Sequence, residues 1–245
     1  MTTLTPSIDI RRAGERMATR IDWLDSQHSF SFGGHYDPEN THFGLLLVSN
    51  DDIIQPDSGF STHPHRDMEI VTWVLKGELE HRDSEGNIGL IHPGLAQRMS
   101  AGTGILHSEM NPTQNTAVRL VQMWVVPDTS QVRPSYADLD INSELDRGGL
   151  VAVASGRGHD AAISIRQENA VLWAGRLKAN ETIKLPDAPF VHLFVAENSV
   201  ELERAGQLAQ GDAARITLGG ALKVTAGEAG AEVLVWEMHK MVQFR

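Results

Sequence analysis

The feature that most constrains this chain is that its apolar runs are short and end at turn residues before a long amphipathic helix can form. FGLLLVSN (43–50), EIVTWVLKG (69–77), ELEHRD (78–83), IGLIHPG (88–94) and VRLVQMWVVP (118–127) follow one another at the spacing of a β-sandwich or barrel. Between them DSEGN (83–87), HPG (92–94) and AGTG (101–104) supply the Gly, Asn and Asp that tight turns need. Residues 128–149 are polar and rich in turn formers, and read as a connector with at most a short helical turn. The β pattern then resumes in LVAVAS (150–155), VLWAGRL (171–177), FVHLFVAE (190–197), VELER (200–204) and EVLVWEM (232–238). The expectation is an all-β chain of two units, residues 1–130 and 131–245.

The two halves echo each other. GELEHRDSEGNIGLIHPGLAQRM (77–99) and NSVELERAGQLAQGDAARI (198–216) both read strand, turn, strand, as an internal duplication would. They differ in one respect: the second half has no His-x-His, and LGGALKVTAGE (218–228) stands where the first has AGTGILHSE.

That His-x-His lies in STHPHRDMEI (61–70). In a strand, residues i and i+2 project together with Cα atoms about 6.6 Å apart, so His63 and His65 are expected to share a face. Asp67 and Glu69 share it too if the strand stays regular. GILHSEMN (104–111) repeats the spacing with His107 and Glu109. Two such pairs on facing strands would bring three imidazoles and a carboxylate to one point, a sound set for a first-row transition metal. The chain has no cysteine, which excludes disulfides and thiol catalysis and leaves nitrogen and oxygen ligands.

Net charge is −11, and no Lys/Arg cluster offers a footprint for nucleic acid; an anionic membrane surface would repel the chain. The start of the sequence has no apolar core of the secretory kind, and no stretch reaches the roughly 18 apolar residues of a membrane span. A cytoplasmic protein is expected, binding neither nucleic acid nor membrane directly.

The stretches HSFSFGGHYDPENTHFGLLLVSNDD (28–52), GFSTHPHRDMEIVTWVLKGELEHRDSEGN (59–87) and AQRMSAGTGILHSEMNP (96–112) strongly resemble the pirin family of the cupin superfamily. The resemblance implies a two-domain cupin, or bicupin, each domain an antiparallel β-barrel, with metal in the first only. It implies His63, His65, His107 and Glu109 as the ligands, and iron(II) as the metal. The ligand types alone admit Mn, Co, Ni, Cu or Zn. It makes Asp67 and Glu69 partners that orient an imidazole or bond to the turn.

Some pirin-like proteins act as quercetin 2,3-dioxygenases, so the resemblance implies a flavonol or similar polyphenol and O2 as substrates, with loss of carbon monoxide. Glu109 is the expected base and Glu69 the reserve, with Trp73 and Met123 in the apolar wall that would take a flat ring. Other family members resemble redox-responsive regulators, which implies the alternative of a metal-dependent interaction protein with an unidentified partner.

Overall fold

Alternation is weak in EIVTWVLK and VRLVQMWV because the strands they form are covered on both faces. The computed structural model describes residues 4–243. Glu69–Lys76 and Val118–Val125 pair antiparallel near the middle of a seven-stranded sheet. Its order is Ser135–Asp140, Leu95–Ser100, Glu69–Lys76, Val118–Val125, Leu46–Ile54, Leu24–His28, Met17–Ile21. A four-stranded antiparallel sheet of Gly59–His65, Ile105–Met110, Leu79–Asp83 and Ile88–Ile91 completes the first unit.

The even positions Ile70, Val74, Val118 and Leu120 fill the inside of this unit together with Leu79, Ile91, Met99 and Ile105. The odd positions Val71, Trp73, Val121, Met123 and Val125 join Leu172, Phe194, Leu234 and Trp236 of the second unit in one buried cluster. The second unit is built on Phe190–Leu202, Lys223–Met238 and Ala170–Leu177, and its own interior is aliphatic, with Leu193, Val195, Val224, Val233 and Val235. Among the described strands every pairing is antiparallel except Val151–Ser155 with Ile163–Ser164. No helix among the described residues is long and apolar enough to cross a membrane.

This architecture corrects one expectation. Trp73 and Met123 do not wall a ligand cavity. Strand parity sends both to the seam, where Trp73 Nε1 donates to Glu232 Oε1 at 2.7 Å and Trp236 Nε1 donates to Met123 Sδ at 3.2 Å.

Sheet membership also crosses the middle of the chain in both directions. Ser7–Arg11 pairs with Ala213–Thr217 in the second unit's sheet. Ser135–Asp140, inside the polar connector, pairs with Leu95–Ser100 of the first. The connector therefore holds a strand as well as the single helical turn Asn142–Leu145. The echoed stretches fold alike: Leu79–Asp83 and Ile88–Ile91 form a hairpin followed by Leu95–Ser100. The end of Phe190–Leu202 and Gly206–Ala209 form another, followed by Ala213–Thr217.

Trp73 is fully buried between the units, so Trp73→Ala is expected to lower the stability read from urea unfolding by about 3–5 kcal/mol. A loss below about 1 kcal/mol would contradict the seam described here.

Candidate metal centre

Two neighbouring strands carry the histidines. Gly59–His65 and Ile105–Met110 run antiparallel with His107 directly opposite His63. On the other side of Ile105–Met110, His107 faces Asp83 and Glu109 faces His81. A register shift between His107 and Glu109 is the local irregularity of a β-bulge, which re-aims side chains. The rings of His63, His65 and His107 converge, with centroid separations of 4.4–4.8 Å. One ligand atom from each lies within 4.8 Å of the others, and the same holds for His81, His107 and Glu109. His107 and Glu109 are both 2% exposed.

Two of the rings, His63 and His107, are oriented from behind. His63 Nδ1 donates to the Ser61 carbonyl at 2.8 Å, which leaves Nε2 of the neutral ring with its lone pair. Behind His107 stands His81, its Nδ1 3.4 Å from His107 Nδ1 and its Nε2 3.2 Å from Asp83 Oδ2. Burial works to raise the Asp83 pKa, but hydrogen bonds from Asn87 and His81 overcome it and hold the pKa low. An ionised Asp83 accepts from His81 Nε2–H; with His81 neutral, its Nδ1 then accepts from His107 Nδ1–H.

This chain turns the lone pairs of His107 Nε2 and His63 Nε2 toward each other at 3.0 Å. Either a proton relayed along the chain or a cation at its inner end resolves that contact. The proton leaves His65 unserved: its Nε2 is buried with no partner among the described residues. Burial first, and the neighbouring imidazoles second, depress His65 to about 4 and His107 to about 3, so both rings are neutral near pH 7. Neutral imidazoles with convergent, unserved nitrogens fit a transition-metal ion.

Glu109 accepts hydrogen bonds at both of its oxygens. Gln122 Nε2 donates to Oε2 at 2.6 Å and Thr72 Oγ1 to Oε1 at 3.3 Å, while Trp124 Nε1 donates to Gln122 Oε1 at 3.0 Å. His63, His65 and Glu109 open onto a cavity of about 560 Å³ walled by Trp23, Phe60, Phe32 and Trp124. Trp23 meets Phe60 edge to face at 5.3 Å and Phe32 meets Trp124 at 5.6 Å. Asn50, Asp52, Ser26 and His28 give it a polar side.

The strand parity expected for Asp67 and Glu69 does not hold. Gly59–His65 ends before them, Asp67 takes a left-handed φ of 45°, and the chain passes from the four-stranded sheet to the seven-stranded one. Glu69 then faces the seam, accepting from Ser100 Oγ at 2.9 Å and from the Arg166 N–H at 3.1 Å. It does not line the cavity, which removes it as the reserve base. Asp67 Oδ1 instead accepts from the Gln131 N–H at 2.6 Å. Of the 28–42 loop, Phe32, Gly33 and Gly34 border the cavity, as does His28, but His35 and His42 do not.

The sequence reading did not single out His81, Asp83, Gln122 or Asp52. The signal available for two of them was HRD (81–83), another i, i+2 pair.

Asp52 carries a pH signature. Burial lifts its pKa to about 7; a hydrogen bond from Ser26 opposes this, and the charges of Asp51 and Glu109 add to it. In the unfolded chain the carboxyl titrates near 4, so the raised native pKa favours folding only at acid pH. Stability tied to this group is fully present below about pH 4 and is lost as pH rises through about 7. Asp52→Asn, which keeps an acceptor for Ser26, is expected to raise the Tm of the metal-free protein near pH 8 by at least about 2–4 °C, equivalent to about 1 kcal/mol. Thermal scans near pH 4 should show no difference; equal Tm values at both pH values would refute the assignment.

Comparison with known proteins agrees with this architecture. The pirin family model matches residues 10–125, and that of the quercetinase C-terminal cupin domain matches 152–238. A Mycobacterium tuberculosis protein provisionally named quercetin 2,3-dioxygenase is 57% identical over 96% of this chain and 97% of its own length. Quercetin 2,3-dioxygenase of Escherichia coli is 39% identical over 80% of each chain. The crystal structure of YhhW from Escherichia coli superposes with a TM-score of 0.87 at 34% identity, covering 98% of this chain and 100% of its own. A structure of the same bacterial pirin in complex with nickel(II) gives a TM-score of 0.87 at 34% identity, covering 96% and 100%. The chain, with its metal-capable first unit and aliphatic second one, belongs to the pirin family of two-domain cupins.

Proposed function

We propose that this protein is a metal-dependent dioxygenase that opens the ring of quercetin-like flavonols with O2 and releases carbon monoxide. In this reading His63, His65, His107 and Glu109 hold one divalent transition metal, iron(II) by preference, with Mn, Co, Ni, Cu or Zn as the alternatives their chemistry admits. The observation that carries it is the convergence of His63 and His107 Nε2 at 3.0 Å beside the unserved His65 Nε2, at the mouth of an aromatic-walled cavity. The kinship with proteins named quercetin 2,3-dioxygenase supports the substrate class, and the nickel complex of YhhW supports a divalent metal in this fold. The acidic, cysteine-free composition is the support for a cytoplasmic location.

When bound, the ion supplies Lewis acidity toward the substrate's hydroxyl oxygen and an open position for small ligands. The protein's own residues do the rest. Trp23, Phe60, Phe32 and Trp124 sandwich a flat polyphenol and keep bulk water from it. Glu109 is the carboxylate placed to take the hydroxyl proton; Gln122 and Thr72 keep its oxygens aimed. Asp83, through His81, holds the His107 ring so that Nε2 faces inward.

Protein purified without oxygen, loaded with iron(II) and mixed with quercetin and air is expected to consume flavonol absorbance with stoichiometric carbon monoxide. His63→Ala should abolish both. No turnover by protein shown to hold one iron would set the dioxygenase reading aside in favour of a redox-responsive regulator.

Metal titrations separate the carboxylates. Glu109→Gln is expected to lower metal affinity sharply, and Asp83→Asn by about 10–100-fold, whereas Glu69→Gln should leave it unchanged. Metal loss in Glu69→Gln with retention in Glu109→Gln would reverse the ligand assignment.

A further inference from the structure

A second cavity, of about 140 Å³, lies where three separate parts of the chain meet. Ser29 and Asn40 come from the loop after Leu24–His28, Arg16 from the turn after Ala13–Glu15, and His192 and Arg215 from strands of the second unit. His28 lines both this cavity and the aromatic-walled one. Seven buried side-chain polar atoms lack a hydrogen-bond partner among the described residues, and four of them belong here: Arg16 Nη1, Ser29 Oγ, His192 Nε2 and Arg215 Nε. Ser29, His192 and Arg215 are 8%, 1% and 5% exposed, and the Arg16 side chain is 9% exposed.

The charge is as uneven as the hydrogen bonding. Arg215 has no carboxylate within salt-bridge reach among the described residues. Its Nη2 donates to the Ser29 carbonyl at 2.8 Å and to Asn40 Oδ1 at 2.7 Å, and its guanidinium lies 4.4 Å above the Phe30 ring. Arg16 reaches Asp51 at 3.4 Å through Nη2 alone, an acid also held by Arg119. At the rim Arg12 is matched by Asp212 and Arg11 by Asp9, and the two lining acids, Glu15 and Asp37, are exposed. Burial presses the Arg215 pKa down to about 10, with Arg11 adding to the effect and Asp9 opposing it; the group remains a cation at neutral pH. A buried cation with no carboxylate in salt-bridge contact is costly; its cross-strand neighbour Asp9 attracts it only from beyond that distance, and water, which can serve the orphan N–H groups, brings no charge.

We propose that this cavity binds a small oxyanion of the phosphate type, held by Arg215, Arg16, Ser29 and His192. Its volume equals about four to five water molecules at roughly 30 Å³ each, which suits a four-oxygen anion and excludes a nucleotide. Arg215 Nε, Arg16 Nη1 and Ser29 Oγ are donors, and the neutral His192 ring serves either an oxygen or a hydroxyl of the anion. The site shares His28 with the aromatic-walled cavity but contains none of the candidate metal ligands. An anion there would pin the N-terminal arm and the loop carrying Phe32 and Gly33 onto the second unit.

The test is calorimetric titration of inorganic phosphate into the metal-loaded protein at constant ionic strength in chloride, with Tm followed over the same range. One saturable site per chain is expected, with Tm rising by mass action. Arg215→Gln should weaken binding at least tenfold, and Ser29→Ala, which removes a single hydroxyl, several-fold. Arg82→Gln, an exposed side chain paired with Glu80, should bind as the parent does. His63→Ala should also bind phosphate unchanged, which separates this site from any coordination of phosphate to the metal. Should Arg215→Gln prove unfolded by circular dichroism, Ser29→Ala carries the comparison. No saturable heat with folded protein, or binding that survives both Arg215→Gln and Ser29→Ala, would overturn the proposal.

Discussion

Thr72 and Trp73 are neighbours in sequence and serve different bodies. Thr72 donates to the Glu109 carboxylate inside the first barrel, while Trp73 donates to Glu232 across the seam. The same division runs along Val118–Val125, where Gln122 orients Glu109 and Met123 packs under Trp236. Burial on both faces of two adjacent strands is the constraint on which the molecule rests. It fixes the register of the site, because a slip by one residue would exchange the seam for the cavity. It also makes the second unit part of the scaffold of the first, since the backbone that aims Glu109 is clamped from behind by Phe194, Leu234 and Trp236.

Much of this was legible in the sequence. Short runs with good turn chemistry gave the all-β class, and the paired spacings pointed to His63, His65 and His107, which the structure groups, while it groups Glu109 with His107 and His81. What failed did so for local reasons. Parity was carried across Asp67, whose left-handed φ ends one strand and turns the chain to another sheet. Trp73 and Met123 lie on two adjacent strands that are buried on both faces, so alternation could not say which side was the cavity. His81 and Asp83 looked like a polar hairpin because their partner, His107, lies far away in sequence. The placement of Ser7–Arg11 and Ser135–Asp140 was invisible, since neither strand carries a motif that names its neighbour.

The two barrels put equivalent volumes to opposite uses. The first keeps imidazoles, carboxylates and amides in its interior, each served by a partner or waiting for one, beside aromatic walls that meet edge to face. The second fills its interior with Leu and Val, which need no partners and gain from packing alone. A polar interior must be fully served to be tolerated. The Asp83–His81–His107 chain and the Trp124–Gln122–Glu109 chain are the means, the first tying His107 to the neighbouring strand and the second tying Glu109 across to Val118–Val125 of the other sheet.

The exchange of edge strands has a topological consequence. Because Ser7–Arg11 forms an edge of the second unit's sheet and Ser135–Asp140 an edge of the first's, the first unit is the continuous segment 17–140 while the second joins the start of the chain to its far half. A duplicated ancestor would have held each barrel whole within one segment; here the covalent order and the spatial order are interlaced. Severing the chain before Ser135 would leave Ser7–Arg11 on the fragment that does not use it and take Ser135–Asp140 from the one that does. Recombination that shuffles barrels between relatives must therefore carry the amino-terminal arm along with the far half of the gene.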